Sequence, residues 1–194
     1  MAATPSVLLI RQPHLRLARV LQVTSAFGIA PPAAAELEEA RALASRLMSH
    51  KVATMDTYFR VLAVQPAAVL VFKEGGQVTG VTGQLFLNRR AVDQLLQGEF
   101  DALDPDPSLL TTEGQRPVAA YAWGVAAATK PAGAAILGGG GAMRERLFPN
   151  LTAFTRAVTG AGRHVALTRY GYRPLRGPDD DLMVTEPQAQ EQAA

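Results

Sequence analysis

The residues of this chain best suited to binding an anion lie in a small-residue segment near the middle of the sequence. An apolar run, 118–127, is followed by eight small or turn-forming residues, 128–135, and then by a helix-like segment, 136–147. The first backbone N–H groups of a helix have no partner within it, and the positive end of the helix dipole lies behind them. This order of strand, turn and helix therefore predicts a phosphate-binding site at the turn.

Small side chains in the predicted turn leave its backbone open to a ligand. A branched Cβ would keep phosphate oxygens away from the N–H groups, whereas Gly and Ala allow close approach. One lysine at the start of the turn adds a positive charge. The predicted contacts are Lys130, Ala132, Gly133, Ala134 and Ala135.

Two side chains are weak candidates for proton transfer. His164 is the histidine nearest to the central segment, and an imidazole titrates near neutral pH. A single histidine on a short helix is more often a surface or packing residue, and that interpretation stays open. Tyr121, in the apolar run, is a candidate proton donor, whereas we interpret Trp123 as part of the core or of a pocket wall.

Composition and charge exclude several classes of function. The chain has no cysteine, which rules out disulfides and thiolate nucleophiles, and its three histidines are too far apart to predict a metal site. The formal net charge is +2 and the basic residues are scattered, so nucleic acid is not an expected partner. No apolar run reaches the roughly 18 residues of a membrane span. The N-terminus lacks the features of a signal peptide, and we expect a cytoplasmic protein.

The elements before the central segment can be predicted from hydrophobic periodicity. Residues 1–30, the least informative part, contain two strand-like runs and predict one strand, within 7–10 or 15–23. Helices are predicted over 33–50, 54–64 and 89–97, the last capped by Asn88, and a β-hairpin over 67–73 and 78–87. Gly80 and Gly83 predict a bulge or a close backbone approach in the second hairpin strand.

The remaining segments complete one domain over residues 1–185. Residues 98–117 predict a long loop, which is either a lid on the substrate side or a surface excursion. After the central segment, the pattern predicts strands over 151–158, 172–175 and 181–184, a helix over 162–170, and a disordered polar tail over 186–194. We therefore expect an α/β fold with a mixed central sheet and helices on both faces.

Two short motifs and the order of these elements resemble one known family. Residues 130–135, KPAGAA, fit the pattern Gln/Arg-x-x-Gly-x-Gly/Ala, except that Lys130 replaces Gln or Arg. Val125, five residues earlier, is the apolar strand-end residue that is typical before this motif. Residues 166–172, ALTRYGY, are similar to a short helix that ends in Gly-Phe. Together these features resemble the GNAT superfamily of acyl-CoA-dependent N-acetyltransferases over about residues 33–185.

The resemblance implies a fold, a donor and a reaction. It implies a GNAT-like sheet and the transfer of an acetyl group from acetyl-CoA to an amine on a small molecule or a protein. The diphosphate of CoA would lie at the turn, and the backbone of Val125 and Ala127 would pair with the pantetheine arm. The implied cofactor-binding residues are Val125, Ala127, Lys130, Ala132, Gly133, Ala134 and Ala135. A homodimer is compatible with the sequence.

The sequence departs from the family at the positions that usually move protons. Many members carry a carboxylate on the strand before the turn, but residues 118–125 contain none. Leu167 stands where many members have a tyrosine that protonates the leaving thiolate, and Gly160 stands where an asparagine is frequent. A non-catalytic GNAT-like module that binds acyl-CoA or a protein partner is therefore an open alternative.

A second alternative follows from the four glycines Gly138–Gly141. If residues 134–137 formed a strand and residues 142–148 a helix, the glycines between them would be a phosphate loop. The chain would then be a nucleotide-binding protein. Neither a following Gly-Lys-Ser/Thr nor a spaced G-x-G-x-x-G supports this interpretation.

Overall fold

The computed structural model describes residues 13–48 and 52–187. Over these residues the chain forms six α-helices and one mixed sheet of seven strands. The strands are β1 (Ile29–Ala30), β2 (Val69–Glu74), β3 (Gln77–Leu87), β4 (Ala119–Ala127), β5 (Thr152–Arg156), β6 (Arg173–Pro174) and β7 (Leu182–Thr185). The helices are α1 (Leu17–Ser25), α2 (Ala34–Met48), α3 (Met55–Val64), α4 (Arg89–Gln97), α5 (Lys130–Leu147) and α6 (Gly160–Tyr170).

The strand order in the sheet is β1-β2-β3-β4-β5-β7-β6. Strands β4 and β5 are parallel, and every other neighbouring pair is antiparallel. The crossover between the two parallel strands is helix α5, which follows β4 directly. A single-domain α/β fold with a mixed sheet was expected from the sequence, and the model confirms it.

Helices cover both faces of the sheet. On one face, α1 and α5 pack over a core that includes Val20, Ile136 and Met143, and α6 lies beside α5. On the other face, α2, α3 and α4 pack over cores that include Leu43, Val61 and Leu95. The predicted arrangement of helices on both faces is therefore confirmed.

Most local predictions before the central segment are confirmed. Helices α2, α3 and α4 and the hairpin of β2 and β3 lie where periodicity placed them. The side chain of Thr54 accepts a hydrogen bond from the N–H of Thr57, and that of Asn88 accepts one from Ala91, so both helices begin at a capping residue. Residues 49 and 50, at the end of the predicted first helix, lie outside the described residues.

A strand over residues 15–23, one of the two predicted possibilities, is wrong, because residues 17–23 belong to helix α1. Leu15, Leu17, Leu21 and Val23 suggested alternation, but the buried residues of the helix are Val20 and Thr24, four positions apart. That spacing places both on the side facing the core. The other strand-like run, 7–10, lies outside the described residues.

The central turn is shorter than predicted, because helix α5 already begins at Lys130. The side chain of Thr129 accepts a hydrogen bond from the N–H of Ala132, and proline, which suits the first turn of a helix, occupies position 131. The four residues 132–135 are therefore helical. The turn between β4 and α5 is reduced to Ala128 and Thr129.

The four consecutive glycines lie inside α5 and not in a loop. A Cβ on Gly138 would lie 2.8 Å from the ring of Phe27, and one on Gly139 would lie 2.5 Å from Cδ1 of Ile29. These two glycines let the helix approach Phe27, which precedes β1, and Ile29, its first residue. The alternative with strand 134–137, phosphate loop Gly138–Gly141 and helix 142–148 is therefore wrong.

The C-terminal elements and the long loop lie close to where the sequence predicted them. Strand β5, helix α6 and the pair β6 and β7 lie within or close to their predicted ranges. Residues 98–117 contain a short 3-10 helix, Pro107–Leu109, and bury Phe100 and Leu110 in the core. In the predicted tail, residues 188–194 lie outside the described residues. None of the helices in the described part of the chain is long and apolar enough to cross a membrane.

Candidate functional site

Strands β4 and β5 separate halfway along β4. Their parallel pairing begins at Ala119 and Thr152 and, within the described residues, ends at Ala122 and Thr155. Strand β4 continues to Ala127 along β3, whereas β5 continues along β7. Among the described strands, the last five residues of β4 therefore have a neighbour on one side only.

A β-bulge marks the point of separation. On β3, Gly83 and Gln84 are adjacent, but their partners on β4 are Gly124 and Ala122, which leaves Trp123 as an extra residue. The bulge also changes which face the following side chains occupy. Ala120 packs on the α5 face and Ala126 on the α2 face, although an even spacing would place them on the same face.

The free edge of β4 exposes backbone hydrogen-bonding groups at alternate residues. The N–H of Ala128 donates to the carbonyl oxygen of Thr79 on β3, at 2.8 Å. Because antiparallel hydrogen bonding alternates along a strand, Ala126 and Gly124 also direct their backbone groups toward β3. Val125 and Ala127 then direct theirs toward the gap that β5 has left.

A cavity of about 530 Å³ lies along this free edge, on the face covered by α5 and α6. Its lining includes, from β4, Val125 and Ala127; from α5, Gly133, Ile136, Leu137 and Gly140; and from α6, Ala161, Val165 and Ala166. The walls are mostly apolar, and one side is open backbone. Such a cavity suits a long ligand with apolar sections and amide groups.

A second cavity, of about 300 Å³, lies on the opposite face between the sheet and helices α2 and α3. Its lining includes Ala44, Met48, Val52, Tyr58, Leu103, Tyr121 and Trp123. The two cavities share the lining residues Met48, Gly83, Trp123, Gly124, Arg156 and Val158. They therefore meet in the gap between β4 and β5, at the bulge.

The long loop forms one wall of the smaller cavity through Ala102 and Leu103. The indole N–H of Trp123 donates to the carbonyl oxygen of Ala102 at 2.5 Å. Next to it, Asp104 accepts hydrogen bonds from the hydroxyl of Thr57 at 2.8 Å and from the guanidinium of Arg60. These two donors lower the pKa of Asp104. The loop is thus attached both to the bulge and to helix α3.

Three of the seven predicted cofactor residues line the larger cavity. They are Val125, Ala127 and Gly133. The other four do not: Ala132 is buried and faces Gly80 of β3, Ala135 packs against the core, and Lys130 and Ala134 are exposed on α5. The predicted site is therefore assembled mainly from the strand edge, with one contribution from the helix.

The N-terminus of α5 offers fewer free N–H groups than the sequence suggested. Pro131 has none, Ala132 donates to the hydroxyl of Thr129, and Gly133 donates to the carbonyl oxygen of Thr129 at 3.0 Å. Among the described contacts, this leaves the N–H of Lys130 as the one first-turn donor without a protein partner. An anion here would depend on Lys130 more than on a cradle of backbone groups.

A carboxylate already lies beside this helix terminus. Glu74, the last residue of β2, accepts hydrogen bonds from the hydroxyls of Thr129 at 2.5 Å and Thr79 at 2.8 Å. These hydrogen bonds lower the pKa of Glu74, so the side chain is ionised at neutral pH. Sequence reasoning missed this residue, because the contact joins segments more than fifty positions apart.

The two candidates for proton transfer have different surroundings. Tyr121 lines the smaller cavity, and burial raises its pKa to about 12, so the phenol stays protonated at neutral pH. Burial also raises the pKa of Tyr58, which lines the same cavity. His164 is exposed on α6 and lines neither cavity. The structure therefore places Tyr121, but not His164, in the lining of a cavity.

Arg156 is a charged residue of the site that sequence reasoning missed. It ends β5, lines both cavities and donates to Asp181 at 2.9 Å. An arginine at the end of a strand whose other residues are uncharged was the available signal. Tyr170, the last residue of α6, donates its hydroxyl to the carbonyl oxygen of Leu137 at 2.7 Å and joins α6 to α5.

No family model matches this sequence, and no curated protein is significantly similar to it.

Proposed function

We propose that this chain is a divergent member of the GNAT superfamily and an acyl-CoA-dependent acyltransferase that moves an acetyl group to an amine. The observation that carries the proposal is the separation of β4 from β5 after Ala122, which leaves the backbone of Val125 and Ala127 facing a cavity. A pantetheine arm carries two amide groups and can pair with such an edge as a further strand would. A cytoplasmic location is part of the proposal, because acyl-CoA thioesters are available there.

The residues at the gap fit a thioester ligand in part. The free strand edge and the apolar walls suit pantetheine, and Gly133 leaves the cavity open where a larger side chain would enter it. The helix terminus suits a diphosphate less well, since Lys130 adds one positive charge while Glu74 adds one negative charge. We expect the affinity to come mainly from the pantetheine section.

Acetyl-CoA supplies an activated acyl carbon, and the chain would position an amine against it. The two cavities meet at the bulge, so a donor in the larger one and an acceptor in the smaller one would come together beside Trp123. Positioning can provide a large part of a rate enhancement, and a general base typically adds about 10²–10⁴-fold. The protonated phenol of Tyr121 is a candidate donor toward a leaving sulfur.

A module that binds acyl-CoA without turnover is the second candidate. One observation favours it: the described residues that line the two cavities include no aspartate, glutamate or histidine. The amine would have to reach the gap already deprotonated or lose its proton to water. A protein that binds a thioester without transferring the acyl group needs no such group.

Thermal unfolding with acetyl-CoA, free CoA or ATP tests the proposal. A ligand present at 100 times its Kd stabilises the folded state by about 2.7 kcal/mol, which is about 5–10 °C for a domain of this size. We expect a shift with both CoA species and none with ATP. A folded sample that responds to neither CoA species contradicts the proposal. Thiol release with a panel of amines then separates an enzyme from a binding module.

A further inference from the structure

We propose that the smaller cavity selects an amine carried on an uncharged, ring-sized apolar body, and that Leu103 and Arg156 set this selectivity. The inference rests on the proposed function for the transfer step, but the selectivity itself can be measured without the donor. An arylalkylamine belongs to the favoured class. Diamines, polyamines and basic peptides are disfavoured.

The walls of the cavity are apolar and aromatic. The rings of Tyr58 and Trp123 lie with their centroids 4.9 Å apart and their planes inclined at 49°. Met48, Val52 and Leu103 complete the wall around them. Aromatic rings favour offset or tilted contact with another ring, so these walls suit an aromatic ligand body.

The charge of the cavity excludes a second ammonium group. Its one charged lining residue among the described residues is Arg156, which is positive. Asp181 pairs with Arg156 at 2.9 Å but does not line the cavity. A ligand with an additional positive charge would find no carboxylate partner there, and leaving a charge unpaired in an apolar site is costly.

The size and fixed shape of the cavity limit the ligand further. Its volume of about 300 Å³ is at the lower end of the range for ligand sites, enough for one ring and a short chain. The loop wall is held by the Trp123–Ala102 hydrogen bond and by the contacts of Asp104 with Thr57 and Arg60. A cavity wall that is fixed by hydrogen bonds discriminates by shape, because it does not adapt to a larger acceptor.

Acyl transfer to such an acceptor exchanges one bond and one proton between nitrogen and sulfur. The nitrogen of the neutral amine forms a bond to the acyl carbon of the thioester, and the bond from that carbon to sulfur breaks. The nitrogen loses one proton and the sulfur takes up one. The products are an N-acyl arylalkylamine and a free thiol.

The single tryptophan of the chain provides a direct readout, since Trp123 lines both cavities. Its fluorescence is measured in the absence of acetyl-CoA during separate titrations with 2-phenylethylamine, butylamine and 1,4-diaminobutane. The first has the ring, the second has the same charge without a ring, and the third has a second charge. We expect the half-saturating concentration of 2-phenylethylamine to be at least tenfold lower than those of butylamine and 1,4-diaminobutane. Saturation by 1,4-diaminobutane at an equal or lower concentration, or no response to any of the three, overturns the inference.

Two matched leucines test the wall. Leu103 and Leu167 are 45% and 42% exposed, but only Leu103 lines the cavity. Leu103→Ser should raise the half-saturating concentration of 2-phenylethylamine about tenfold, because apolar contact is lost, and Leu167→Ser should leave it unchanged. Equal effects of the two variants contradict the assignment. Arg156→Gln should reduce the preference for 2-phenylethylamine over 1,4-diaminobutane.

Thiol release from acetyl-CoA separates this inference from the proposed function. Binding of 2-phenylethylamine without thiol release, in a protein that does not bind acetyl-CoA, contradicts acyl transfer and supports the selectivity. Thiol release with 1,4-diaminobutane but not with 2-phenylethylamine supports acyl transfer and overturns the selectivity. Release with 2-phenylethylamine alone supports both.

Discussion

The hydroxyl of Thr129 donates a hydrogen bond to the carboxylate of Glu74, with 2.5 Å between Oγ1 and Oε2. The same threonine caps helix α5. A negative charge therefore lies beside the helix terminus at which the sequence predicted an anion. Glu74 also accepts a hydrogen bond from Thr79, so one carboxylate joins the turn end of the β2–β3 hairpin to the start of α5.

Replacing Glu74 with glutamine should increase the affinity for CoA. Glutamine keeps an oxygen that can accept from Thr129 and Thr79, but it removes the charge that would repel a diphosphate. We expect affinity to rise two- to fivefold at low salt, and the gain to shrink as salt screens the interaction. Calorimetric titration measures it, with Glu145→Gln, at an exposed site farther along α5, as the control. A loss of affinity in Glu74→Gln would mean that the diphosphate lies elsewhere.

Stability should fall on acidification because of paired carboxylates. The pKa of Asp104 is lowered by Thr57 and Arg60, and that of Glu74 by Thr129 and Thr79. A carboxylate whose pKa is lower in the folded state stabilises the fold above its unfolded pKa of about 4. That contribution is lost as pH falls through the folded pKa. We therefore expect the unfolding temperature to be level from about pH 7 to pH 5 and to decrease below about pH 4.

The acid dependence can be assigned to residues. Asp104→Asn should lower the stability at pH 7 and make its decrease below pH 4 shallower, because one titrating carboxylate has been removed. Asp93→Asn, at an exposed site on α4, is the control. If stability below pH 4 decreases as steeply in both variants as in the parent protein, the contacts of Asp104 do not contribute to the pH dependence of stability.

Gly133→Glu should abolish acetyl-CoA binding while the fold remains intact. Gly133 lines the larger cavity, and a Cβ there would meet Ala127 at an ordinary 3.8 Å, so the substitution is sterically tolerated but directs a charged side chain into the cavity. The control is Ala134→Glu, one residue later on the exposed side of α5. Circular dichroism checks the fold and fluorescence titration checks binding. Retained affinity in Gly133→Glu would show that this cavity is not the donor site.

The glycines of α5 should respond in opposite ways to alanine. No atom of the described residues lies within 4 Å of a Cβ on Gly141, so Gly141→Ala should stabilise the protein by up to about 1 kcal/mol through helix propensity. Gly139→Ala should destabilise it by about 1–2 kcal/mol, because the new methyl would lie 2.5 Å from Cδ1 of Ile29. Chemical denaturation measures both changes.

A double variant identifies the cause of the second effect. Ile29→Val removes Cδ1, the atom that the new methyl group would overlap, and should reduce the loss of stability caused by Gly139→Ala. If the cost of Gly139→Ala is the same with valine at position 29, the contact with Ile29 is not its origin.

The regular elements could be predicted because their signals are local. The caps Thr54 and Asn88 and the glycine-containing turn of the hairpin fix their neighbours through contacts within a few residues. The segment 15–23 could not be assigned, since apolar residues at both two- and four-residue spacing fit a strand or a helix. Contact between α1 and α5 decides between them, and no local pattern shows that contact.

The candidate site could be predicted only in part. Val125 and Ala127 could be predicted as cavity residues, because the KPAGAA motif places the start of a helix just after them. The smaller cavity, the role of Arg156 and the position of Glu74 depend on residues brought together from β2, β5 and the long loop. Such long-range contacts follow from strand order, which the sequence alone does not encode in any short segment. The length of the predicted turn was wrong for a local reason, since Thr129 caps the helix earlier than expected.

The proposed function depends above all on pairing of the Val125 and Ala127 backbone with the pantetheine arm of an acyl-CoA. An amide NMR titration of the isotope-labelled protein with acetyl-CoA tests it directly. We predict that the amide resonances of Val125 and Ala127 shift in a saturable way, with smaller shifts at Gly133, while the amide of His164, outside both cavities, stays unchanged. Saturable binding that leaves Val125 and Ala127 unmoved, or no binding in a folded sample, would contradict the account.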